Sequence, residues 1–319
     1  MPRPVTDQRG SMKELNLRFF QSVATTGTLS AAAEELHVAV SAVSRQISNL
    51  ESQLGLKLFE RRPRGMSLTE AGEVLLAYAL RNQLEVNEVL SKMRGIDALQ
   101  QHRIRVACPD GLGWHFLPSV IGEFRSFHPG VKFDLQVVDS ARASELVKEG
   151  AADIAITFSL APMIGVEVVA NHAGAICALM PSAHPLASRS QLSVTDLKGY
   201  PLALPLNGTT MRYLFDIACN VAGITVVPDF SCDSLGAIYA MVRKDNAMVT
   251  LCGAASVRDQ ADIDSMVLIP MSDAQLRQRS LQIQVMAGRR LPQIIQYFVH
   301  FLEEQLLRAE APDVRDNSF

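Results

Sequence analysis

The sequence contains few of the residue patterns on which an enzyme or a metal site is built. It has no HExxH, GxSxG or P-loop motif, and its seven histidines are scattered without the spacing of metal ligands. A single tryptophan and 6% aromatic residues do not favour a stacking platform for single-stranded nucleic acid. We therefore expect no catalytic residue, no metal and no cofactor.

Cysteine is also sparse, and no CxxC pair occurs among the five residues of this type. They are widely spaced and mostly flanked by apolar residues, so we expect small buried hydrophobic side chains, with a redox switch as the alternative. The cysteines are Cys108, Cys177, Cys219, Cys232 and Cys252.

Long hydrophobic runs are missing as well. No apolar run reaches the roughly 18 residues of a membrane helix, and the start of the chain lacks the apolar stretch of a secretory signal. We expect a cytoplasmic protein that contacts no membrane, with residues 1–11 as a loose tail. The 319 residues, 48% of them hydrophobic, suggest two or three domains. Because the net charge is −3, any contact with nucleic acid must come from a local basic patch.

Residues 12–69 show a helical pattern that fits a helix-turn-helix. Helical spacing predicts a first helix over residues 13–25, followed by Gly27 as a turn residue. Ser30 can cap a short alanine-rich helix, and Ser41 can cap a third helix. The third helix carries an apolar stripe of Val43, Ile47, Leu50 and Leu54, and its opposite, polar face can enter a major groove.

An arginine-rich turn follows the third helix. The segment KLFERRPR, residues 57–64, contains four basic residues against one acid, and Pro63 indicates a hairpin-like turn. Arginines at such a tip can neutralise phosphates or enter a narrow minor groove. A solvated charge run on a generic helical subdomain is the alternative. From the residues we expect DNA contacts at Ser30, Ser41, Ser44, Arg45, Asn49, Arg61, Arg62 and Arg64.

Residues 70–98 predict one long helix, which Thr69 can cap and whose periodicity ends near Asp97. Its apolar residues approximate a heptad seam, broken by Gln83. This pattern predicts that two subunits pair through the helix. The seam consists of Leu76, Leu80, Val86, Leu90 and Met93.

Beyond residue 102 strands alternate with helices, which indicates an α/β architecture with a parallel sheet. Two glycine-bearing turns, CPDGLGWHF at 108–116 and LPLNGTTMRY at 204–213, lead from a strand into a helix. The N–H groups of helix N-termini favour a carboxylate or another small anion, whereas the carboxylate of Asp110 favours a ligand amine or hydroxyl. An ordinary strand–helix turn and plain helix capping are the alternatives. The candidate ligand-binding residues are Pro109, Asp110, Gly111, Leu112, Leu206, Asn207, Gly208 and Thr209.

Residues 19–76, FFQSVATTGTLSAAAEELHVAVSAVSRQISNLESQLGLKLFERRPRGMSLTEAGEVLL, resemble the N-terminal domain of LysR-type transcriptional regulators. One departure lies at the start of the third helix, where many members have Ser-Gln-Pro or Ser-Gln-Ser and this chain has Ala39, Val40 and Ser41. Val40 can touch a thymine methyl group at the position where the family often has a glutamine on a base. The matching landmarks are Phe20, Gly27, Ala32, Ala33, Leu36, Val43, Ser44, Ile47, Leu50, Glu51, Leu54, Gly55, Leu58, Phe59, Arg61, Leu68, Thr69, Ala71 and Gly72.

The resemblance extends over the whole chain and implies an α+β multidomain fold. It implies a winged helix-turn-helix at 12–69, a linker and dimerisation helix at 70–98, and a bilobal α/β effector-binding domain at 103–306 that is similar to periplasmic solute-binding proteins. In the family the end of the strand DIAITF lines the pocket, which adds Thr157, Phe158 and Ser159 to the candidates. The implied first lobe is 103–166 with 270–306, and the implied second lobe is 167–269.

These features predict a sequence-specific, DNA-binding transcriptional regulator that is modulated by a small-molecule effector such as a carboxylate. It would bind double-stranded DNA at a promoter or operator as a homodimer or homotetramer, and would contact RNA polymerase if it activates transcription. A bilobal solute-binding protein is the alternative, followed by an enzyme built on the same fold.

Overall fold

The computed structural model of the chain describes residues 14–63, 65–93 and 103–310. The chain divides into two compact units, residues 1–89 and residues 90–319, and each has its own apolar core. None of the helices in the described ranges is both long and apolar enough to cross a membrane. Outside the described residues lie the expected tail at 1–11, the expected end of the linker helix at 94–98, and Arg64.

The first unit is built from helices and one two-stranded hairpin. Its elements are α1 (Glu14–Thr26), α2 (Leu29–Leu36), α3 (Val40–Leu54), β1 (Phe59–Arg62), β2 (Gly65–Leu68) and α4 (Glu70–Met93). The strands β1 and β2 pair antiparallel and form the wing beside α3. This order of elements agrees with the winged helix-turn-helix that the sequence predicts.

Thr28 caps α2, in place of the Ser30 that the sequence predicts. The Thr28 hydroxyl accepts a hydrogen bond from the N–H of Ala31 at 3.1 Å, because Thr28 is the extended residue before the helix and Ser30 already lies inside it. In the same way Ala39 precedes α3 without a side-chain cap, and Ser41 lies in the first turn of α3. Both serines are exposed.

The core of the first unit lies between the three short helices and the hairpin. Ile47 and Leu50 of the predicted α3 stripe are at most 4% exposed. They pack with the fully buried Phe20 of α1, whose ring centroid lies 5.3 Å from that of Phe59 in β1. Leu54 was expected on the same stripe but is 39% exposed, because it is the last residue of α3.

Thr69 caps α4, as the sequence predicts. Its hydroxyl accepts a hydrogen bond from the N–H of Gly72 at 3.1 Å and donates one to the carbonyl oxygen of Lys57 at 2.7 Å. The residues of the predicted heptad seam fall into two groups. Leu76, near the start of the helix, packs on the core of the first unit. The later seam residues are exposed: Val86 by 36%, Leu90 by 43% and Met93 by 77%.

The second unit contains two five-stranded sheets with helices packed on them. Its strands are β3 (Arg103–Cys108), β4 (Lys132–Val137), β5 (Ile154–Ser159), β6 (Val166–Ala173), β7 (Ile176–Pro181), β8 (Leu202–Pro205), β9 (Phe230–Cys232), β10 (Val249–Gly253), β11 (Met266–Pro270) and β12 (Ser280–Met286). Its α-helices are α5 (Asp110–Gly113), α6 (Phe116–Phe127), α7 (Ser140–Lys148), α8 (Thr210–Val221), α9 (Leu235–Lys244), α10 (Ala254–Ile263) and α11 (Gln293–Glu310).

Each sheet contains one strand that runs antiparallel to its neighbours, which corrects the expectation of a parallel sheet. The strand orders are β4-β3-β5-β12-β6 and β11-β7-β10-β8-β9. In the first sheet β12 is antiparallel to β5 and β6, and in the second β7 is antiparallel to β10 and β11. These two strands are the ones that arrive from the other lobe. Each of these strands begins at the junction between the lobes. The parallel strands β3 and β5 end there, so the entering strand runs in the opposite direction.

The chain crosses between the lobes later than the resemblance implies. β6 belongs to the first sheet, so the first crossing lies at residues 174–175 and not near 167. The return crossing occupies residues 271–279, between the last strand of the second sheet and β12. By strand membership the first lobe is therefore 103–173 with 280–310, and the second is 176–270.

The two crossing segments are hydrogen-bonded to one another. The Nε of Arg279 donates to the carbonyl oxygen of Gly174 at 2.7 Å, and the N–H of Gly174 donates to the carbonyl oxygen of Arg279 at 3.2 Å. A Cβ at Gly174 would come within 3.1 Å of the backbone nitrogen of Leu281 and 3.2 Å of the Phe158 ring. Glycine at 174 therefore allows the close approach of the two segments.

A buried carboxylate joins two arginines in the first lobe. The side chain of Asp153 is 3% exposed and lies 2.8 Å from Nη2 of Arg105 and 2.8 Å from Nη1 of Arg289. Burial by itself would raise the pKa of Asp153, but the hydrogen bonds and charge of Arg105 and the charge of Arg289 hold it below its usual value.

The cysteines are largely buried, as the sequence predicts. Four are buried and Cys232 is half-buried. Burial raises the pKa of Cys108 to about 12 and that of Cys177 to about 11. Since the thiolate is the reactive form, these thiols are held in their unreactive state.

Candidate functional site

The outer face of α3 carries the polar residues that the sequence assigns to DNA. While the opposite face packs into the core, Ser41, Arg45 and Asn49 are exposed, and Ser44 is half-buried. Val40 at the start of the helix is 44% exposed. The structure thus presents the predicted contact residues of α3 on one accessible surface.

The wing lies against this helix. A hollow of about 270 Å³ separates α3 from the hairpin and is bordered by Ser44 and Ser48 on one side and Arg61 on the other. Arg61 and Arg62 are exposed on β1. Arg62 lies 3.5 Å from the Glu60 carboxylate, and such an exposed pair contributes little to stability.

Glu51 attaches the wing to α3. Its carboxylate, 9% exposed, accepts hydrogen bonds from the N–H of Leu58 at 2.9 Å and from Nζ of Lys57 at 2.6 Å. Burial opposes the charge, yet the bonds from Lys57, Leu58 and Phe59 together lower the pKa of Glu51. Sequence reasoning used Glu51 only as a family landmark, and the donors around its carboxylate show why an acid is needed there.

A cavity of about 230 Å³ lies where the two lobes of the second unit meet. Its wall includes six of the residues that were proposed from the sequence. It also includes residues that the sequence did not single out, above all Arg279. The six are Pro109, Asp110, Gly111, Phe158, Gly208 and Thr209.

Five candidate residues lie away from the cavity wall. Leu112 is fully buried in the core of the first lobe, because the turn before it points its side chain inward. Thr157 is 1% exposed and alternates with Phe158 across the sheet. The Ser159 hydroxyl donates to the carbonyl oxygen of Ala161 at 2.7 Å. The remaining two, Leu206 and Asn207, are exposed on the loop before α8.

The expectation of two helix N-termini around one anion needs correction at Asp110. The helix predicted to follow the turn at 108–116 is divided into α5 and α6, and α5 is a single turn of four residues. The Asp110 carboxylate accepts a hydrogen bond from the N–H of Leu235 at 2.5 Å, at the start of α9 in the second lobe. It is therefore engaged with the N-terminus of α9 in the second lobe.

Four longer helices start at the cavity, and three of them already carry a carboxylate. Asp139 accepts from the α7 backbone at 2.8 Å, Asp110 accepts from α9, and Glu310 accepts from the N–H of Ala255 in α10 at 3.3 Å. The fourth, α8, is capped by the neutral hydroxyl of Thr209 at 3.1 Å. Among the described residues, α8 is therefore the helix of these four whose positive dipole end is capped by a hydroxyl and not by a carboxylate.

The single tryptophan of the chain lies at the contact between the lobes. The ring centroid of Trp114, in the first lobe, is 5.0 Å from that of Tyr239 in α9. A Cβ at Gly236 would come within 2.6 Å of the Trp114 Nε1, so glycine is needed for this packing. The fluorescence of Trp114 should report movement of one lobe against the other.

Arg279 is the functional candidate that sequence reasoning missed. It is 4% exposed, and its guanidinium carbon lies 3.9 Å from the centroid of the Phe158 ring. Its Nη2 has no acceptor among the described residues. Burial lowers the pKa of Arg279 to about 10, with the negative charge of Glu310 acting against this effect. An arginine in the polar segment RQRSLQ is typical of a solvated turn, so the sequence offers no signal for this burial.

A helix-turn-helix with a basic wing, joined to a bilobal unit with a cavity between its lobes, defines a DNA-binding protein that responds to a small molecule. Comparison with known families makes the class specific. The model of the bacterial regulatory helix-turn-helix protein of the lysR family matches residues 15–73, and that of the LysR substrate binding domain matches residues 97–307. The chain belongs to the LysR family of transcriptional regulators.

Similar proteins carry regulatory names. A probable RuBisCO transcriptional regulator of Cyanidioschyzon merolae is 30% identical over 213 residues, which cover 65% of this chain and 70% of the relative. A probable nitrogen assimilation transcriptional activator of Synechococcus elongatus is 27% identical over 260 residues, 81% of this chain and 84% of the relative. A full-length OxyR variant from Pseudomonas aeruginosa shares the fold, with a TM-score of 0.59 at 20% identity over 93% of this chain and 95% of that one.

Proposed function

We propose that this LysR-family regulator binds duplex DNA by placing α3 in the major groove and the β1–β2 wing along the adjacent backbone. The observation that carries the proposal is the exposed polar face of α3 beside the exposed arginines of the wing. A major groove admits one α-helix, and a guanidinium can bind the O6 and N7 of guanine together. Contacts to phosphates fix the register of a protein on the duplex.

The roles of the contact residues follow from their positions. Arg45, in the middle of α3, is assigned to a guanine edge or a phosphate, with Ser41 and Ser44 on either and Asn49 on the DNA backbone. Val40 is exposed at the N-terminal end of α3 and is assigned to a thymine methyl group. Phosphate contacts are assigned to Ser30 at the start of α2 and to Arg61 and Arg62 in the wing, and the sequence adds Arg64.

Pairing of two chains through α4 would bring two copies of α3 to two half-sites. The second half of α4 supports this pairing, because it exposes the apolar residues Val86, Leu90 and Met93. Burying these side chains against a second copy of the helix would stabilise a dimer. We infer a homodimer or homotetramer, whose half-sites would be separated by whole turns of the duplex.

The cavity between the lobes is assigned to a small effector, with a carboxylate as its chemistry. A ligand that binds one arrangement of the lobes more tightly than another shifts the population towards it, and with it the spacing of the paired DNA-binding units. We infer a cytoplasmic regulator without catalytic activity, which contacts RNA polymerase if it activates transcription. The presence of a helix-turn-helix in the same chain supports this role over that of a transport protein.

Replacing the two arginines should weaken DNA binding in two distinguishable ways. Arg45→Ala should weaken binding to the protein's own promoter fragment by about 1–3 kcal/mol, roughly 5- to 150-fold, because it removes a base contact. Arg61→Ala removes a phosphate contact and should lower the slope of log affinity against log salt by about 0.9 per contact. Fluorescence anisotropy over a salt series measures both quantities.

Arg125→Ala provides a matched control, since this exposed arginine lies on α6 in the other unit. It should leave both the affinity and the salt slope unchanged. Wild-type affinity in both Arg45→Ala and Arg61→Ala would refute the assigned DNA-binding face.

A further inference from the structure

The cavity between the lobes contains a positive charge that the described part of the protein does not neutralise. Arg279 has one side-chain hydrogen bond, from Nε to the carbonyl oxygen of Gly174, and no carboxylate of the described residues lies within ion-pairing distance of it. The face of the Phe158 ring offers the guanidinium only a weak interaction. Burying a charge without an ionic partner is costly, so this arrangement needs an explanation beyond stability.

The acids around Arg279 are used elsewhere. Glu310, whose charge acts on Arg279, accepts a hydrogen bond from the start of α10. Asp110 and Asp139, both on the cavity wall, cap α9 and α7. Asp233 also borders the cavity but is exposed at its rim. If Arg279 is to be paired, the negative group must therefore come from outside the described residues, and a bound ligand can supply it.

The N-terminus of α8 independently favours a negatively charged ligand group. Gly208, Thr209 and Thr210 line the cavity, and α8 is the helix there whose cap is neutral. Its unpaired N–H groups and dipole favour a negative group. A ligand amine would add a second cation to a site that already holds an unpaired one.

Much of the remaining wall is apolar, and the space is small. Its apolar residues include Phe158, Pro205, Leu235 and Ile238. The volume of about 230 Å³ compares with the roughly 150 Å³ of an apolar cavity that holds benzene. Such a cavity accepts a compact hydrocarbon body together with one polar head.

From these observations we propose that the cavity selects a small monocarboxylate with an apolar body, and that Arg279 is the residue that selects its charge. The inference rests on the proposed effector role of the cavity and names the chemical class of the effector. A charge-assisted bond between the carboxylate and Arg279 would supply the missing counter-charge, while the apolar wall would exclude water from the pair.

Matched ligand series test the proposal on the full-length protein. Benzoate, benzamide and benzylamine form one series, and hexanoate, hexanamide and hexylamine form another. We expect each acid to raise the melting temperature and change the fluorescence of Trp114, and the amide and amine of each series to bind at least tenfold more weakly. Arg279→Met should lower the affinity for the acids by roughly 10- to 100-fold, and Arg279→Lys should retain part of it.

Arg277→Met is the matched control, because Arg277 is exposed two residues away and, within the described residues, bonds to the carbonyl oxygen of Ser272 at 2.9 Å. It should respond to the acids as the wild type does. An amide that binds as tightly as its acid, an acid that binds Arg279→Met with wild-type affinity, or the absence of binding by every acid would overturn the proposal.

Ligand-free stability separates charge selection from a structural role. Arg279→Met removes a buried charge without an ionic partner but also the hydrogen bond to Gly174, and because the two effects oppose each other its melting temperature without ligand should stay within about 5 °C of the wild type. A fall of more than about 5 °C would assign Arg279 to structure and overturn the proposal. Promoter binding by the wild type is measured separately, so failure of the proposed function would show as absent DNA binding whatever the ligand result.

Discussion

Asp153→Ala is expected to destabilise the second unit by about 3–5 kcal/mol, because it leaves the buried guanidinium group of Arg289 and the half-buried one of Arg105 without their shared carboxylate. The Arg289 side chain is only 7% exposed, so water cannot take over the role of the acid. Domains of this size have about 5–15 kcal/mol of stability in total. Urea unfolding followed by circular dichroism measures the loss.

Asp134→Ala is the matched control. Asp134 lies in β4, next to the strand β3 that carries Arg105. Asp134 pairs with Arg103, but the side chains are 50% and 55% exposed. Exposed pairs contribute about 0–1 kcal/mol, so this variant should unfold almost as the wild type does. Equal losses in Asp153→Ala and Asp134→Ala would show that the buried cluster has no special weight.

Acid titration checks the same carboxylate without a loss of side-chain volume. The pKa of Asp153 in the folded state lies below its usual value, so its contribution to stability is present above the unfolded pKa of about 3.9. This contribution is lost as the pH falls through the lower folded value. The difference in stability between the wild type and Asp153→Asn should therefore shrink in that acid range and stay constant above it.

Phe20→Ala should abolish DNA binding and leave the ligand-binding unit intact. Phe20 is fully buried and packs with Phe59, the residue that begins the wing. Removing such a ring costs about 3–5 kcal/mol, a large share of the about 4–13 kcal/mol expected for a unit of 89 residues. We expect promoter affinity to fall by more than about 100-fold, measured by gel shift.

Two controls test whether the effect of Phe20→Ala is confined to the first unit. Phe127→Ala removes a ring that is 67% exposed and should leave both units unchanged. In Phe20→Ala the fluorescence of Trp114, which lies in the second unit, should keep its wild-type value. A change in that fluorescence would show that the damage extends beyond the first unit.

Much of the DNA-binding unit could be predicted because its signals are local. A stripe such as Ile47 and Leu50, a turn glycine such as Gly27 and a cap such as Thr69 act within one or two turns of the chain. The wrong choice of Ser30 as a cap has the same origin, since Thr28 and Ser30 are both suitable residue types and only the backbone decides between them.

The bilobal unit was harder to predict because its decisive contacts are remote. β10 is buried along its whole length, so it shows no alternation that would identify a strand. The carboxylate of Asp110 meets a backbone N–H that lies 125 residues further along the chain. Arg279 bonds to a carbonyl group 105 residues earlier. Such partners cannot be read from spacing, so the charge inside the cavity emerged only from the fold.

The pair of hydrogen bonds between Gly174 and Arg279 has a mechanical consequence. Two connections that are fastened to each other restrict twisting of one lobe about a single strand and leave bending about a shared axis. A ligand bound beside Arg279 would lie close to that axis, where a small displacement would be amplified at the distant ends of both lobes.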